Sequence, residues 1–284
     1  MSADVLRQFH PDTARWFAEA VGAPTLVQQQ AWPAIAAGES VLVSAPTGTG
    51  KTLSAFLVWI DRLKAEARAG ALPEGLQVLY ISPLKSLATD IRENLTRPLE
   101  GIGGPALTVG VRTGDTPSAE RQRQLRRPPH IFITTPESLY ILLTTARGRA
   151  MLSTCRAVIV DELHALISGK RGAHLMLSLA RLDAICPRPA QRIGLSATIR
   201  PLGLAAEYLC PNALARVVAP AMEKRAEIAV TGVLDDMRVL PEGSIWPALA
   251  RRVLEQCEGR RTVLAFVEGR AQAERLAGRS ESVV

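Results

Sequence analysis

The sequence predicts an α/β fold, a doubly wound sheet of parallel strands. Three observations carry that expectation. Apolar runs of strand length alternate with longer helical patterns along most of the chain. The runs are rich in Val, Ile and Leu with little polar alternation, as in strands covered on both faces. A Gly-rich stretch, APTGTGKT at 45–52, stands between the first such run and a helical pattern. Strand and helix in strict turn imply βαβ crossovers.

Two short helical segments, about 12–21 and 26–37, precede the first strand. Strands are predicted at SVLVSA (40–45), QVLYIS (77–82), LTVGV (107–111), HIFITT (130–135), RAVIVD (156–161) and RIGLSA (192–197). Helices are predicted between them at 51–69, 84–97, 117–126, 137–146, 173–186 and 202–209. The rhythm changes after residue 210. Two short extended runs with no good helix between them read as a connector carrying a β-ribbon. Residues 243–258 are amphipathic, with Ile245, Leu249, Val253 and Leu254 along one side. Thr262–Val267 reads as a buried strand and Arg270–Ala277 as a helix.

At 284 residues and 47% hydrophobic, the chain can bury a sizeable core. No apolar run is long enough to span a bilayer. The start, MSADVLRQFHPDTARWF, carries charges where a signal peptide would be apolar. Cys155, Cys186, Cys210 and Cys257 are far apart and form no Cys-x-x-Cys pair, so reduced thiols and a cytoplasmic location are expected. The net charge of +7 suits either a polyanionic partner or a merely basic protein, and charge alone does not separate the two. The arginine run RQRQLRRPP at 121–129 reads as a solvated helix face, with nucleic-acid contact as the alternative. His130 reads as structural, and Trp32 and Trp246 as core.

Two motifs carry chemistry. APTGTGKT follows a predicted strand and opens a predicted helix, the context of a phosphate-binding loop. The N–H groups of Gly48, Thr49 and Gly50 would wrap phosphates, because Gly lets the backbone come close. Lys51 would neutralise the β- and γ-phosphates, and the Thr52 hydroxyl would ligate Mg²⁺. VIVDELH at 158–164 ends an apolar strand in two carboxylates. Asp161 would reach Mg²⁺, and Glu162 would orient and deprotonate the attacking water.

APTGTGKT, DELH and LSAT, in this order, resemble the motor core of a superfamily 2 helicase of the DExH type. In that family the loop begins with Ala, here Ala45. The resemblance implies a RecA-like fold, ATP held by Thr47 to Thr52, and further roles. Gln28 of PTLVQQQAW would read the adenine edge, and Phe9 would stack on the adenine. SPLKSLATD, RTGDT and TTPESL resemble the segments that grip one nucleic-acid strand. They implicate Pro83, Lys85 and Ser86; Arg112, Thr113 and Gly114; and Thr135, Pro136 and Glu137. His164 would link the nucleotide site to LSAT, where Ser196 and Thr198 couple hydrolysis to movement.

The stretches YISPLKSLATDI, GVRTGDTPSAER, ITTPESLYILL, SGKRGAHLMLSLARLDAI and GSIWP are similar to the large helicase-related family of bacteria and archaea. That resemblance covers about residues 9–277. It implies an ATP-driven translocase moving 3′ to 5′ on single-stranded DNA (RNA or a hybrid being the alternatives), displacing a paired strand in DNA repair. It also implies a first motor domain over 1–215, a connector over 216–242, and an incomplete start of a second motor domain over 243–284. The expectation for these residues alone is ATP binding with little hydrolysis and no unwinding, because an arginine finger comes from the second domain. The rival class is a RecA-like module that binds nucleic acid or a partner without turnover.

Overall fold

The computed structural model describes residues 5–197, 199–211, 213–221, 227–234, 244–260 and 262–281. The chain divides into two units, Met1–Met222 and Glu223–Val284.

In the first unit, a short turn of 3-10 helix at Val5–Gln8 leads into α1 (Pro11–Ala20) and α2 (Leu26–Ala36). Then come β1 (Val41–Ser44), α3 (Lys51–Arg68), β2 (Val78–Ile81), α4 (Lys85–Gly101), β3 (Val109–Arg112) and α5 (Ser118–Arg126). After them follow β4 (Ile131–Thr134), α6 (Pro136–Leu143), α7 (Ala146–Leu152), β5 (Ala157–Val160), α8 (Lys170–Ile185), β6 (Gln191–Ser196), α9 (Leu202–Leu209) and β7 (Arg216–Val218). Local chemistry sets many of the boundaries. Thr25 and Gln28 form a reciprocal capping box at the start of α2. Thr135 caps α6, whose first residue is Pro136.

The sheet has seven strands in the order β3-β4-β2-β5-β6-β1-β7. Every pairing is parallel. Side chains alternate between faces along each strand. Val41, Val43, Val78, Tyr80, Ala157 and Ile159 pack in one core with Trp32, Phe56 and Leu63. Leu42, Leu79, Ile81, Val158 and Val160 pack in the other with Leu139, Leu175 and Leu209. Helices thus cover both faces, which is why the strands read as continuous apolar runs. No described helix is long and apolar enough to cross a membrane.

Three expectations change. Arg216–Val218, placed in the connector by the sequence, pair with Val41–Val43 as an outer strand of the main sheet. The first unit therefore extends past residue 215. Residues 227–234 hold no strand, and the rest of the expected ribbon, 222–226 and 235–243, lies outside the described residues. Residues 262–267 are not a strand either, and Phe266 is 92% exposed. An apolar run becomes a strand only where another strand takes up its backbone groups. The second unit shows α10 (Trp246–Cys257) and α11 (Arg270–Glu281). Trp246 is half-buried there, under the Arg275 guanidinium at 5.2 Å.

Candidate nucleotide and nucleic-acid site

Sheet order explains why distant motifs meet. β1, β6 and β5 are adjacent, and their carboxyl ends carry the phosphate-loop motif, the LSAT segment and the Asp-Glu pair. Ser196 lies between the other two. Its carbonyl accepts from Ala45 N at 3.2 Å, and the Ser44 hydroxyl donates to Ala197 O at 3.2 Å.

The loop conformation depends on glycine. Gly48 and Gly50 have φ of +81° and +79°, a region costly for other residues. Gly50 is the N-cap of α3, and no side chain among the described residues caps that helix. Its N-terminal N–H groups and dipole are thus available to an anion. Two side chains from α2 brace the loop. Thr25 Oγ1 donates to Thr49 O at 3.0 Å, and Gln28 Nε2 donates to Gly50 O at 3.5 Å. Lys51 is buried, and its ammonium donates to Ala45 O and Pro46 O at 2.7 and 2.8 Å. Burial lowers its pKa, while the Glu162 and Asp161 charges act in the opposite direction. A cation held only by neutral carbonyls gains by exchanging them for phosphate oxygens.

Asp161 and Glu162 follow β5 directly. Tyr80 Oη donates to Asp161 Oδ2, and Glu162 N donates to Asp161 Oδ1 at 2.8 Å. Burial, and then the Asp161 charge, pushes the Tyr80 hydroxyl well above its usual pKa, so it remains a donor. Glu162 sits at φ +47°, the only non-glycine residue with positive φ among those described. Such strain gathers at functional positions. His164 Nδ1 lies 3.3 Å from Glu162 Oε2, accepts from Ala197 N at 3.3 Å and faces Ser196 Oγ at 3.4 Å. His164 therefore touches both the carboxylate and LSAT. Thr198 lies outside the described residues.

Thr47, Gly48, Gly50, Lys51, Thr52, Asp161 and Glu162 line one cleft of about 450 Å³. A larger cavity, about 880 Å³, opens at the other end of the strands beside Gln77, Arg156 and Gln191. None of the candidate site residues lines it, so chemistry rather than size selects the site. Among the described residues no group of three or more His, Cys, Asp or Glu is placed to hold a metal ion. Mg²⁺ is ordinarily held by one or two protein oxygens plus phosphates and water, so a Thr52 hydroxyl and an Asp161 carboxylate lining one cleft fit it.

The two adenine expectations fare differently from the phosphate ones. Gln28 is 1% exposed, with Oε1 accepting from Thr25 N at 2.9 Å and Nε2 on Gly50 O. Its amide is spent on bracing the loop. Phe9 is 7% exposed and packs edge-on against Trp32 at 5.0 Å. It is not brought to the cleft, because the Trp32 cluster buries its ring. The aromatic side chain that does line the cleft from α1 is Trp16.

The other half of the same sheet edge, β2, β4 and β3, carries the expected grip. Lys85 and Ser86 are exposed at the start of α4, while Pro83 is buried. Lys85 Nζ bonds both Asp115 oxygens at 2.9 and 3.1 Å. Arg112 is 8% exposed, its pKa is lowered by burial and then by Arg121, and its Nη1 has no hydrogen-bond partner among the described residues. Thr113 and exposed Gly114 form a turn whose carbonyls are held by Arg121, with Nη2 on Gly114 O at 2.6 Å and Nε on Thr116 O at 2.7 Å. The Thr135 hydroxyl accepts from Ser138 N at 3.4 Å and donates to Ser138 Oγ at 3.2 Å, and Pro136 is buried, so both serve the helix start. Exposed Glu137 takes Arg171 Nε and Nη2 at 2.5 and 3.0 Å, and this bonding lowers its pKa. Sequence reasoning missed Tyr80, Arg121 and Arg171. Arg121 lay inside the arginine run, and Tyr80 and Arg171 inside family-like stretches, but nothing in the sequence gave any of the three a role.

A DEAD/DEAH box helicase family model matches residues 25–203. The chain is 46% identical to the Lhr helicase/probable uracil glycosylase of Mycolicibacterium smegmatis, over 99% of this chain and 19% of that protein. It is 43% identical to the ATP-dependent helicase Lhr-Core protein 2 of Thermococcus barophilus, over 92% of this chain and 32% of that one. Its fold superposes with a TM-score of 0.86 on Mycobacterium smegmatis helicase Lhr bound to ssDNA and AMP-PNP, at 46% identity, covering 98% of this chain and 36% of that one. The chain thus spans between about a fifth and a third of the length of the curated relatives it matches. With its phosphate loop, Asp-Glu pair and LSAT segment on one sheet edge and a family model matching most of that sheet, the chain belongs to the DEAD/DEAH box helicase family.

Proposed function

We propose that these residues form the ATP-binding motor portion of a helicase that moves 3′ to 5′ on single-stranded DNA and displaces a paired strand. The observation that carries the reading is the division of one sheet edge. The nucleotide motifs occupy β1, β6 and β5, and the strand-gripping motifs occupy β2, β4 and β3. The likeness to a helicase Lhr bound to ssDNA and AMP-PNP supports the same choice of ligands. A role in DNA repair, which rests on the resemblance of the motifs, and a cytoplasmic location, which rests on the scattered cysteines, complete the proposal.

In this reading the loop N–H groups and Lys51 bind the ATP phosphates, and Thr52 and Asp161 hold Mg²⁺. The metal, when bound, would neutralise charge on the β- and γ-phosphates. Glu162 orients the attacking water and takes its proton. His164, touching Glu162 and the LSAT backbone, carries the state of the nucleotide site to β6. The grip loops hold phosphates through hydroxyls, backbone N–H groups and cations, contacts that are indifferent to base sequence and sensitive to salt. The first unit alone is expected to bind ATP and turn it over slowly, since the arginine finger that accelerates such reactions comes from a second motor domain.

The test is ATP turnover by the purified chain, with and without single-stranded DNA, beside Glu162→Gln. Turnover that rises with DNA and is lost in the variant is expected. ATP binding with no turnover in either protein would support the non-hydrolysing module instead.

A further inference from the structure

We propose that Tyr80 is a positioning residue of the nucleotide site, its hydroxyl fixing the Asp161 carboxylate so that the remaining lone pairs face the cleft. The inference rests on the ATP-site reading above.

Tyr80 belongs to neither motif. It lies on β2, opposite Ile159 in the β2–β5 register, one pleat before Asp161. Its ring stacks on Phe56 with centroids 5.1 Å apart and planes 23° apart. Phe56 lies on α3, about one turn and a half beyond Lys51. Tyr80 therefore touches the helix of the phosphate loop with its ring and the Asp-Glu segment with its hydroxyl. A buried hydroxyl is costly unless bonded, and here the bond goes to Asp161 Oδ2. The other carboxylate oxygen accepts from the amide of Glu162, the residue held at φ +47°. An ionised carboxylate has about four acceptor positions. Two are used, which sets the rotation of the group and leaves the others for a cation. The same bonds fix the turn that aims Glu162. Partners of this kind, behind a metal-binding carboxylate, typically change metal affinity by about 10- to 100-fold when removed.

The experiment compares the wild-type chain with Tyr80→Phe, which keeps the ring on Phe56, and with Phe56→Leu, which weakens the stack but keeps the hydroxyl. Mn²⁺ is titrated by electron paramagnetic resonance in the presence of a non-hydrolysable ATP analogue. Nucleotide affinity in EDTA and melting temperature are measured alongside. Tyr80→Phe is expected to bind Mn²⁺ about 10- to 100-fold more weakly, with metal-free nucleotide affinity unchanged. Phe56→Leu is expected to melt earlier yet keep its Mn²⁺ affinity. Equal Mn²⁺ affinity in Tyr80→Phe and wild type overturns the role of Tyr80 and leaves the ATP site standing. Equal losses in both variants, tracking melting temperature, also overturn it, since the effect would then be structural. No Mn²⁺-dependent nucleotide binding by the wild type overturns both readings.

Discussion

The two halves of one sheet edge are built on opposite principles. On the β1-β6-β5 half, Lys51, Asp161 and Thr49 are buried, and side chains from α2 and β2 brace the loops. On the β2-β4-β3 half, Lys85, Asp115, Glu137 and Arg171 are exposed, and their charges are paired with each other. The first half is organised before its ligand arrives and loses little entropy on binding. The exposed charges of the second are held by surface ion pairs, each worth about 0–1 kcal/mol, which phosphates can displace. The proposed function would use this division: one ligand recognised rigidly, the other gripped and released.

The rigid half should respond to single atoms. The largest effect is expected from Glu162→Gln, which keeps shape and hydrogen bonding but removes the base. ATP turnover should fall by about 10²- to 10⁴-fold while ATP binding persists. Parallel measurements of turnover and analogue binding check this, and an active variant would move the base elsewhere. Lys51→Ala should come next. It removes charged hydrogen bonds of about 1.5–3 kcal/mol, so ATP affinity should drop by about 10- to 100-fold, measured by titration calorimetry.

Gly50→Ala tests the bracing rather than the chemistry. A Cβ there would lie 2.5 Å from Gln28 Nε2, on a backbone at φ +79°. The left-handed conformation alone costs about 1–2 kcal/mol, or about 2–8 °C in melting temperature for a unit of this size. An unchanged melting curve would mean that the loop relaxes freely and that the bond from Gln28 matters little.

The same contrast marks what the sequence could reveal. The six strands predicted between residues 40 and 197 appear within a few residues of their expected ends, because buried parallel strands leave continuous apolar runs. The phosphate loop and the Asp-Glu pair were legible because their residues are contiguous. Tyr80 was not, since in VLYI it is one more large residue of a core strand, and its partner lies 81 positions away. Phe9 shows the same limit: a resemblance of motifs says nothing about the Trp32 cluster that takes the ring. In RQRQLRRPP, Arg123 pairs with Glu120 on the helix surface, as a solvated face should, while Arg121 turns inward to hold the 113–116 turn. Charge composition cannot distinguish those two neighbours. The 262–267 strand did not form because pairing is a property of two segments, and only one was in view.

The exposed half should give the smallest effect, but one with a distinctive signature. Asp115→Asn removes the acid that pairs with Lys85 while leaving the turn backbone, whose carbonyls Arg121 holds. The pair is exposed, so stability should change by no more than about 1 kcal/mol. Binding to single-stranded DNA should tighten at low salt. If Lys85 is neutralised by Asp115 in the wild-type complex, freeing it adds one phosphate contact. The plot of log affinity against log salt should then steepen by about 0.7. If Lys85 instead leaves Asp115 whenever a strand binds, the slope stays the same and only the affinity rises, because the cost of breaking the pair has gone. Fluorescence anisotropy across a salt series separates these outcomes. The first would make the ion pair a permanent part of the grip. The second would make it a latch that each phosphate opens.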